Sequence, residues 1–283
     1  MYVRARERLS YGAVHIPFLG QASKSGDDTL FTKHKRGYHR YGGGRVDDRL
    51  KELRENGKLS ISDADIEMLQ RIANIESRGC IQGINSYDDS FMSMGFMQWT
   101  IKYGKLQRFI QHASDAFRRH GIELDAPRKY GITTRWGPST PIAIKGAQKP
   151  NNLRSLDWAK RFYRAGLDPD IIAKEAAFAL MVIEETKNSI AKRVGSEFLP
   201  YYQISVILRA LIQETFNHRP AWLRKALRRA IVRAKKMGKV SSDQFLEMVR
   251  GAIKQVYKEN GKPQSAENLV NKTKFLKLKG VTC

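Results

Sequence analysis

Two carboxylates and a short glycine-containing segment are the parts of this sequence best suited to chemistry. Glu76 follows an apolar stretch at 66–75, and Asp89 comes in the polar segment after it. A Gly-Phe-Met-Gln sequence follows at 95–98. One protonated and one ionised carboxyl group can together cleave a glycosidic bond by acid and base catalysis. The residue types and their spacing therefore predict a glycosidase cleft.

The element that must position Glu76 is predicted to be an amphipathic helix. Ser62 and Asp65 have the spacing of a capping box, with Asp in place of Glu or Gln. Glu76 then falls on the same helical stripe as three apolar residues, Ile66, Leu69 and Ala73. A helix C-terminus and an apolar wall both favour the protonated form of a carboxyl group, as a general acid requires. Gly79 can end this helix, and the alternative is an exposed glutamate at a frayed helix end.

Further helices are predicted along the rest of the chain. A second helix is expected from about Thr100 to Phe117, and a long buried one is opened by Asp168 and Pro169 and stopped by Gly195. An apolar helix at 204–212, a strongly basic one at 222–236 and an amphipathic one at 241–258 follow, before a basic tail. The basic helix could touch anionic lipid or wall polymers, or could be the solvated face of a domain helix.

Two regions show little helical pattern. Residues 80–95 are expected to form a loop or a short hairpin, and 121–165 to form an irregular insertion that could line a cleft. In that insertion Trp136 and Trp158 are either sugar-stacking residues or core residues. The whole pattern predicts a mainly α fold with a small β-hairpin or loop beside the helix that carries Glu76.

Three segments are expected in the domain organisation. Residues 1–58 form a basic, glycine-rich N-terminal arm or small module, which could also be a flexible tail without specific function. Residues 59–235 form the catalytic domain, and 236–283 a basic C-terminal helical extension.

Composition restricts the compartment and the partners. The chain has 283 residues and a formal net charge of +23, which attracts polyanions such as nucleic acid, anionic lipid or envelope polymers. No apolar run predicts a membrane span, and the first residues do not resemble a secretory signal. The two cysteines are too few for a disulfide framework or a cysteine zinc site, so Cys80 is expected to be a packed thiol rather than a nucleophile.

The motifs resemble the lysozyme-like superfamily, and within it goose-type lysozymes and lytic transglycosylases. The resemblance covers roughly residues 60–235 and rests on Glu76-Ser77, Asp89, the segment 95–98 and Phe216-Asn217. It implies a lysozyme-like α+β fold, with Glu76 as the catalytic acid and Asp89, or its neighbour Asp88, as the second carboxylate. The substrate-binding residues that it implies are Ser77, Gly95, Phe96, Met97, Gln98, Thr100, Phe216 and Asn217.

The sequence also departs from the family pattern. Goose-type lysozymes often carry a second Asp where this chain has Thr100, and a Tyr where it has Phe216. His218 and Arg219 replace small residues after Asn217, which would alter the cleft rim.

The resemblance implies a muramidase without metal or cofactor, which cleaves the β-1,4 bond between N-acetylmuramic acid and N-acetylglucosamine. The nearest alternative is a lytic transglycosylase, and the alternatives from other classes are a basic nucleic-acid-binding protein and a non-catalytic wall-binding module. The expected partners are peptidoglycan glycan strands, anionic envelope polymers or lipid, and a delivery apparatus or immunity protein, with no specific nucleic acid. The expected place of action is the bacterial wall, in the periplasm or outside the cell, reached by phage release, in a virion or through a secretion machine.

Overall fold

A computed structural model describes residues 13–16, 29–125, 131–134, 137–141, 144–147, 149–276 and 283. Over these residues the protein is mainly helical, with eleven α-helices and a small antiparallel sheet, which confirms the predicted fold class. The chain divides into two discontinuous compact units. The first comprises Met1–Gly42 and Gln82–Ile171, and the second comprises Gly43–Ile81 and Ile172–Cys283.

Six of the described strands follow one another in one sheet in chain order. They are β1 (Ala13–Ile16), β2 (Thr29–His34), β3 (Gly37–Arg45), β4 (Cys80–Asn85), β5 (Ser93–Met94) and β6 (Trp99–Thr100). Strands β3 and β4 each include residues of both units. The hairpin of β2 and β3 lies in the predicted N-terminal arm. The antiparallel strands β4 and β5 lie in the segment 80–95, where a loop or short hairpin is predicted, and β6 follows it. A separate two-stranded sheet contains β7 (Gly131–Thr134) and β8 (Gly137–Pro141).

Helices of the first unit surround a core of large aromatic side chains. The helices are α3 (Lys105–His112), α4 (Ser114–Arg118) and α5 (Leu156–Ala165), and a short 3-10 helix spans Pro150–Arg154. Phe109 packs edge-on against Phe117, and Phe31 packs edge-on against Tyr163. Phe31, Phe109 and Phe117 are fully buried.

Two predictions for this unit need correction. No helix begins near Thr100, because that residue ends β6, and the predicted helix is two short ones separated by Ala113. The segment 121–165 is less irregular than expected, because Ser155 caps α5 through its hydroxyl and Trp158 and Phe162 lie on its buried face. Trp158 is thus a core residue, whereas Trp136 lies outside the described residues.

The second unit is helical. It holds α1 (Val46–Glu55), α2 (Asp63–Glu76), most of α6 (Pro169–Val194), α7 (Leu199–Ile204), α8 (Val206–His218), α9 (Pro220–Met237), α10 (Ser242–Glu259) and α11 (Pro263–Lys274). The predicted limits of α6 are confirmed, because the Asp168 carboxylate accepts a hydrogen bond from the Asp170 N–H and Gly195 follows the helix with a φ of 105°. The predicted basic tail instead contains α11, which begins with proline at its first turn.

The predicted helix before Glu76 is confirmed at both ends. The Ser62 hydroxyl accepts a hydrogen bond from the Asp65 N–H, which satisfies one free donor at the start of α2. At the other end the Gly79 N–H donates to the Ala73 carbonyl at 2.8 Å, and Gly79 has a φ of 84°. A Cβ atom at Gly79 would lie 2.8 Å from side-chain atoms of Gln70 and Asn74, so glycine is required here. The position of Glu76 is therefore fixed by a tightly packed turn.

Helices α2 and α8 pack side by side and run in the same direction. Near their beginnings Arg209 of α8 forms an ion pair of 3.0 Å with Asp65 of α2. At their ends His218 of α8 lies beside Glu76 of α2. The C-terminal ends of both helices therefore meet at the same place.

Cys80 is not the packed thiol that the sequence predicts, because it forms a disulfide with Cys283. The two residues are 203 positions apart, and the approach of the C-terminal segment to α2 brings them together. In that approach Arg71 donates to the Thr273 carbonyl at 3.1 Å, and Asn74 donates to the Phe275 carbonyl at 2.8 Å. Contacts over such a separation have no local pattern that would predict them.

The predicted division into an arm at 1–58, a catalytic domain at 59–235 and an extension at 236–283 assigns functions to these segments. It stays a prediction. Within the described ranges, no helix combines the length and the apolar character needed to cross a membrane.

Candidate functional site

Glu76 is the last residue of α2, and its carboxyl group is largely but not wholly buried. Its side chain is 15% exposed, and its Oε1 atom lies 3.4 Å from Nε2 of His218. His218 is the last residue of α8, and half of its side chain is exposed. Glu76 therefore keeps some access to solvent and has a polar neighbour at the end of a second helix.

Glu214 is a second carboxylate at this place, and it lies outside the predicted site residues. It lies one helical turn before His218, is fully buried, and places Oε2 at 3.5 Å from His218 Nε2. One ligand-type atom from each of Glu76, Glu214 and His218 lies within 4.8 Å of the others. We call these three residues the carboxylate–histidine cluster. All of it belongs to the second unit.

A signal for Glu214 was present in the sequence. Leu211, Glu214, Thr215 and His218 follow the spacing of one helix face, so an acid and a histidine share the apolar side of α8. An ionisable pair on a buried face is often functional. Only the packing of α2 against α8, however, reveals that this pair meets Glu76.

The surroundings shift the proton affinities of the two residues on α8. Burial, together with the nearby Glu76 carboxylate, raises the pKa of Glu214 to about 8, so this group holds a proton at pH 7. Interactions with Glu214 and Glu76 raise the pKa of His218 to about 10 despite its partial burial, so the imidazole is charged at pH 7.

The cluster also has the donor types of a cation site. Two carboxylate oxygens and one imidazole nitrogen are ligands that a divalent ion such as Zn²⁺ accepts. Neither Glu214 oxygen has a hydrogen-bond partner among the described residues. The cost of burying these oxygens is reduced if a cation binds them or if the carboxyl group is protonated. The same three residues could therefore hold a proton or a metal ion.

Asp88 and Asp89, the predicted second carboxylates, lie in the first unit and differ in their surroundings. Asp88 organises its loop, because its carboxylate accepts hydrogen bonds from the Asn85 amide at 2.8 Å and from the Ser90 N–H at 2.7 Å. Asp89 is 75% exposed and forms an ion pair of 3.2 Å with Arg36. Asp89 is thus the more accessible carboxylate, and Asp88 is held by its loop.

The predicted turn at 95–98 is a closed structure in the first unit. Gln98 has a φ of 48°, and its side-chain amide donates to the carbonyls of Gly95 at 2.9 Å and Gly83 at 3.0 Å. Phe96 and Met97 are buried in the core. Gln98 therefore holds the turn in its shape, and the two apolar side chains anchor it in the core.

The remaining predicted binding residues have local partners. The Ser77 hydroxyl donates to the Cys80 carbonyl at 2.6 Å, so it stabilises the turn after α2. On α8 the Asn217 side chain accepts a hydrogen bond from Gln213 at 2.9 Å, and Phe216 packs against the core of the second unit. Thr100 is half-buried at the end of β6.

A pocket of about 280 Å³ adjoins the cluster within the second unit. It shares His218 with the cluster and includes Ile75, the residue before Glu76. We call it the basic pocket, because its wall carries the cationic residues Arg219, Lys262 and Lys272 beside the aromatic residues Trp222 and Tyr257.

Comparison of the chain with protein-family models, with curated proteins and with solved structures gives no match. The resemblance to the lysozyme-like superfamily therefore rests on the sequence motifs alone.

Proposed function

We propose that this protein is a muramidase, which hydrolyses the β-1,4 bond between N-acetylmuramic acid and N-acetylglucosamine in bacterial peptidoglycan. Glu76 is the general acid. It donates its proton to the glycosidic oxygen as the bond from that oxygen to the anomeric carbon breaks. Water then attacks the anomeric carbon and gives up a proton to a carboxylate, for which Asp89 is the first candidate and Asp88 the second.

The observation that carries the proposal is the position of Glu76 at the end of α2. Its carboxyl group is mostly buried yet accessible, and it has a second carboxyl group and an imidazole within 4.8 Å. Glu214 is fully buried and has no contact with solvent, so Glu76 is the carboxyl group of this pair that can meet a substrate. The Glu214 carboxyl group, which holds a proton at pH 7, is a proton source beside Glu76 and so suits a general acid at that position.

Charge and the disulfide support action on the cell wall. A formal net charge of +23 favours binding to the anionic polymers of a bacterial envelope. The Cys80–Cys283 disulfide fits an oxidising compartment, such as the periplasm or the outside of the cell. Peptidoglycan strands are accordingly the proposed partner, with a delivery apparatus or an immunity protein as further partners.

A lytic transglycosylase is the second candidate, and one observation favours it. The Asp89 carboxylate is already paired with Arg36 at 3.2 Å, so it is less available to hold an attacking water molecule. In a transglycosylase the substrate's own hydroxyl attacks the anomeric carbon and no water is consumed.

Mass spectrometry of fragments released from purified sacculi tests both candidates. A muramidase gives reducing muramic acid ends, whereas a transglycosylase gives 1,6-anhydro ends that are lighter by one water. We expect reducing ends. Anhydro ends would replace the first candidate by the second, and intact sacculi would contradict both.

A further inference from the structure

The basic pocket has an uncompensated positive charge. Arg219, Lys262 and Lys272 line it, and none of them forms an ion pair with any residue that the structure describes. Glu76 and Glu214 do not line the pocket, and both contact the His218 imidazole. A concave surface with unpaired cations attracts an anionic ligand.

The pocket also has an aromatic wall. Trp222 and Tyr257 pack edge to face with their ring centres 4.8 Å apart, and the Arg219 guanidinium lies 5.3 Å from the centre of the Trp222 ring. Stacking holds this guanidinium in a defined place, where it can form paired hydrogen bonds with a carboxylate. Ser265 and Asn268 add polar groups on the side of α11.

The size and composition of the pocket fit a small ligand with both anionic and apolar parts. A volume of about 280 Å³ is near the lower limit for small-molecule sites and suits a few amino-acid residues rather than a large cofactor. An acidic peptide has the matching chemistry, because its carboxylates can meet the three cations while its aliphatic side chains contact the aromatic wall.

We propose that the basic pocket binds the carboxylates of an acidic peptide, namely the stem peptide that the muramic acid residue of peptidoglycan carries. The identity of this peptide rests on the proposed function, whereas the preference for carboxylates rests on the pocket alone. Because His218 belongs to both the pocket and the cluster, the peptide binds next to Glu76. The site would thus favour glycan strands that carry peptides over bare glycan.

Isothermal titration calorimetry with a synthetic stem tetrapeptide tests the proposal without any cleavage step. The full-length protein is titrated with the peptide bearing free carboxylates, with the fully amidated peptide, and with glycerol phosphate. We expect binding of the first and at least about tenfold weaker binding of the amidated peptide, since hydrogen bonds between charged groups are lost.

A pair of double variants locates the binding. Lys262→Gln with Lys272→Gln removes two charges from the pocket and is expected to weaken peptide binding at least about tenfold. The matched control, Lys239→Gln with Lys258→Gln, removes two exposed charges outside the pocket and is expected to change affinity less than about twofold. Circular dichroism checks that both variants fold.

The proposal is wrong if the unaltered protein does not bind the peptide, or if it binds the amidated peptide with equal affinity. It is also wrong if the two double variants lose peptide affinity equally, or if only glycerol phosphate binds in a charge-dependent way. Failure of the proposed function is separate, because it appears as intact sacculi while peptide binding persists.

Discussion

The Oε1 atom of Glu76 lies 3.4 Å from the Nε2 atom of His218, at the point where the C-terminal ends of two parallel helices meet. Helix C-termini carry partial negative charge, which stabilises a protonated imidazole and destabilises ionised carboxyl groups. Glu214 adds a buried carboxyl group to the same place. The protein therefore concentrates proton-binding groups at the end of α2.

The cluster predicts that the protein loses stability as the pH rises. The pKa of Glu214 is raised from 4.5 to about 8, so the folded state binds more protons than the unfolded state between these values. The contribution of Glu214 to the unfolding free energy is fully present below pH 4.5. It is lost as the pH rises through 8, at up to about 1.4 kcal/mol per pH unit. The pKa of His218 is raised from 6.5 to about 10, so its contribution is complete below pH 6.5 and is lost through pH 10.

Urea denaturation between pH 5 and pH 8 measures this dependence. Glu214→Gln should reduce the difference in unfolding free energy between these two pH values by at least about 1 kcal/mol. Glu55→Gln serves as the control, because Glu55 is exposed at the end of α1 and should leave the difference unchanged. An unchanged difference in Glu214→Gln would contradict the assignment of the shifted group.

Reduction of the disulfide is predicted to destabilise the protein. The disulfide joins residues that are 203 positions apart, so it restricts the unfolded chain. Its loss should lower the unfolding free energy by about 2–5 kcal/mol. Cys283→Ser should show this loss in thermal denaturation. Reductant should destabilise the unaltered protein to the same degree and leave Cys283→Ser unaffected. Equal melting temperatures of the two proteins without reductant would speak against the link.

Substitution of the two neighbouring aspartates is predicted to have different effects on stability. Asp88→Ala removes two hydrogen bonds that organise the loop and should lower the unfolding free energy by about 1–2 kcal/mol. Asp89→Asn changes an exposed group and should alter stability by less than about 0.5 kcal/mol.

Digestion of sacculi then distinguishes their roles. If Asp89 assists the attacking water, Asp89→Asn should lower the rate of hydrolysis at least about tenfold while the protein keeps its stability. Full activity of Asp89→Asn would move this role to Asp88 or favour the transglycosylase.

Chelation is predicted to leave activity unchanged, because the proposed chemistry uses carboxyl groups alone. Sacculus lysis should proceed at the same rate before and after dialysis against EDTA. Added Zn²⁺ should inhibit, since the ion would occupy Glu76, Glu214 and His218 together. Loss of activity on EDTA treatment and its return with Zn²⁺ would instead identify the cluster as a catalytic metal site.

Local features were predictable from the sequence, and long-range ones were not. Ser62 and Gly79 limit α2, and Asp168 and Gly195 limit α6, because caps and stops depend on neighbouring residues. The disulfide and the meeting of Glu76 with Glu214 depend on packing between distant segments, for which one sequence contains no direct signal. The role of Asp89 remains a prediction from the motif.

Glu76→Gln shows whether Glu76 is the general acid. Glutamine keeps the size of the side chain but has no acidic proton to donate, so turbidity clearing of purified sacculi should fall at least about a hundredfold. Glu55→Gln makes the same change at an exposed position of the same unit and should clear sacculi at the rate of the unaltered protein. Circular dichroism establishes that both variants fold. Undiminished clearing of sacculi by folded Glu76→Gln would contradict the assignment of Glu76 as the general acid.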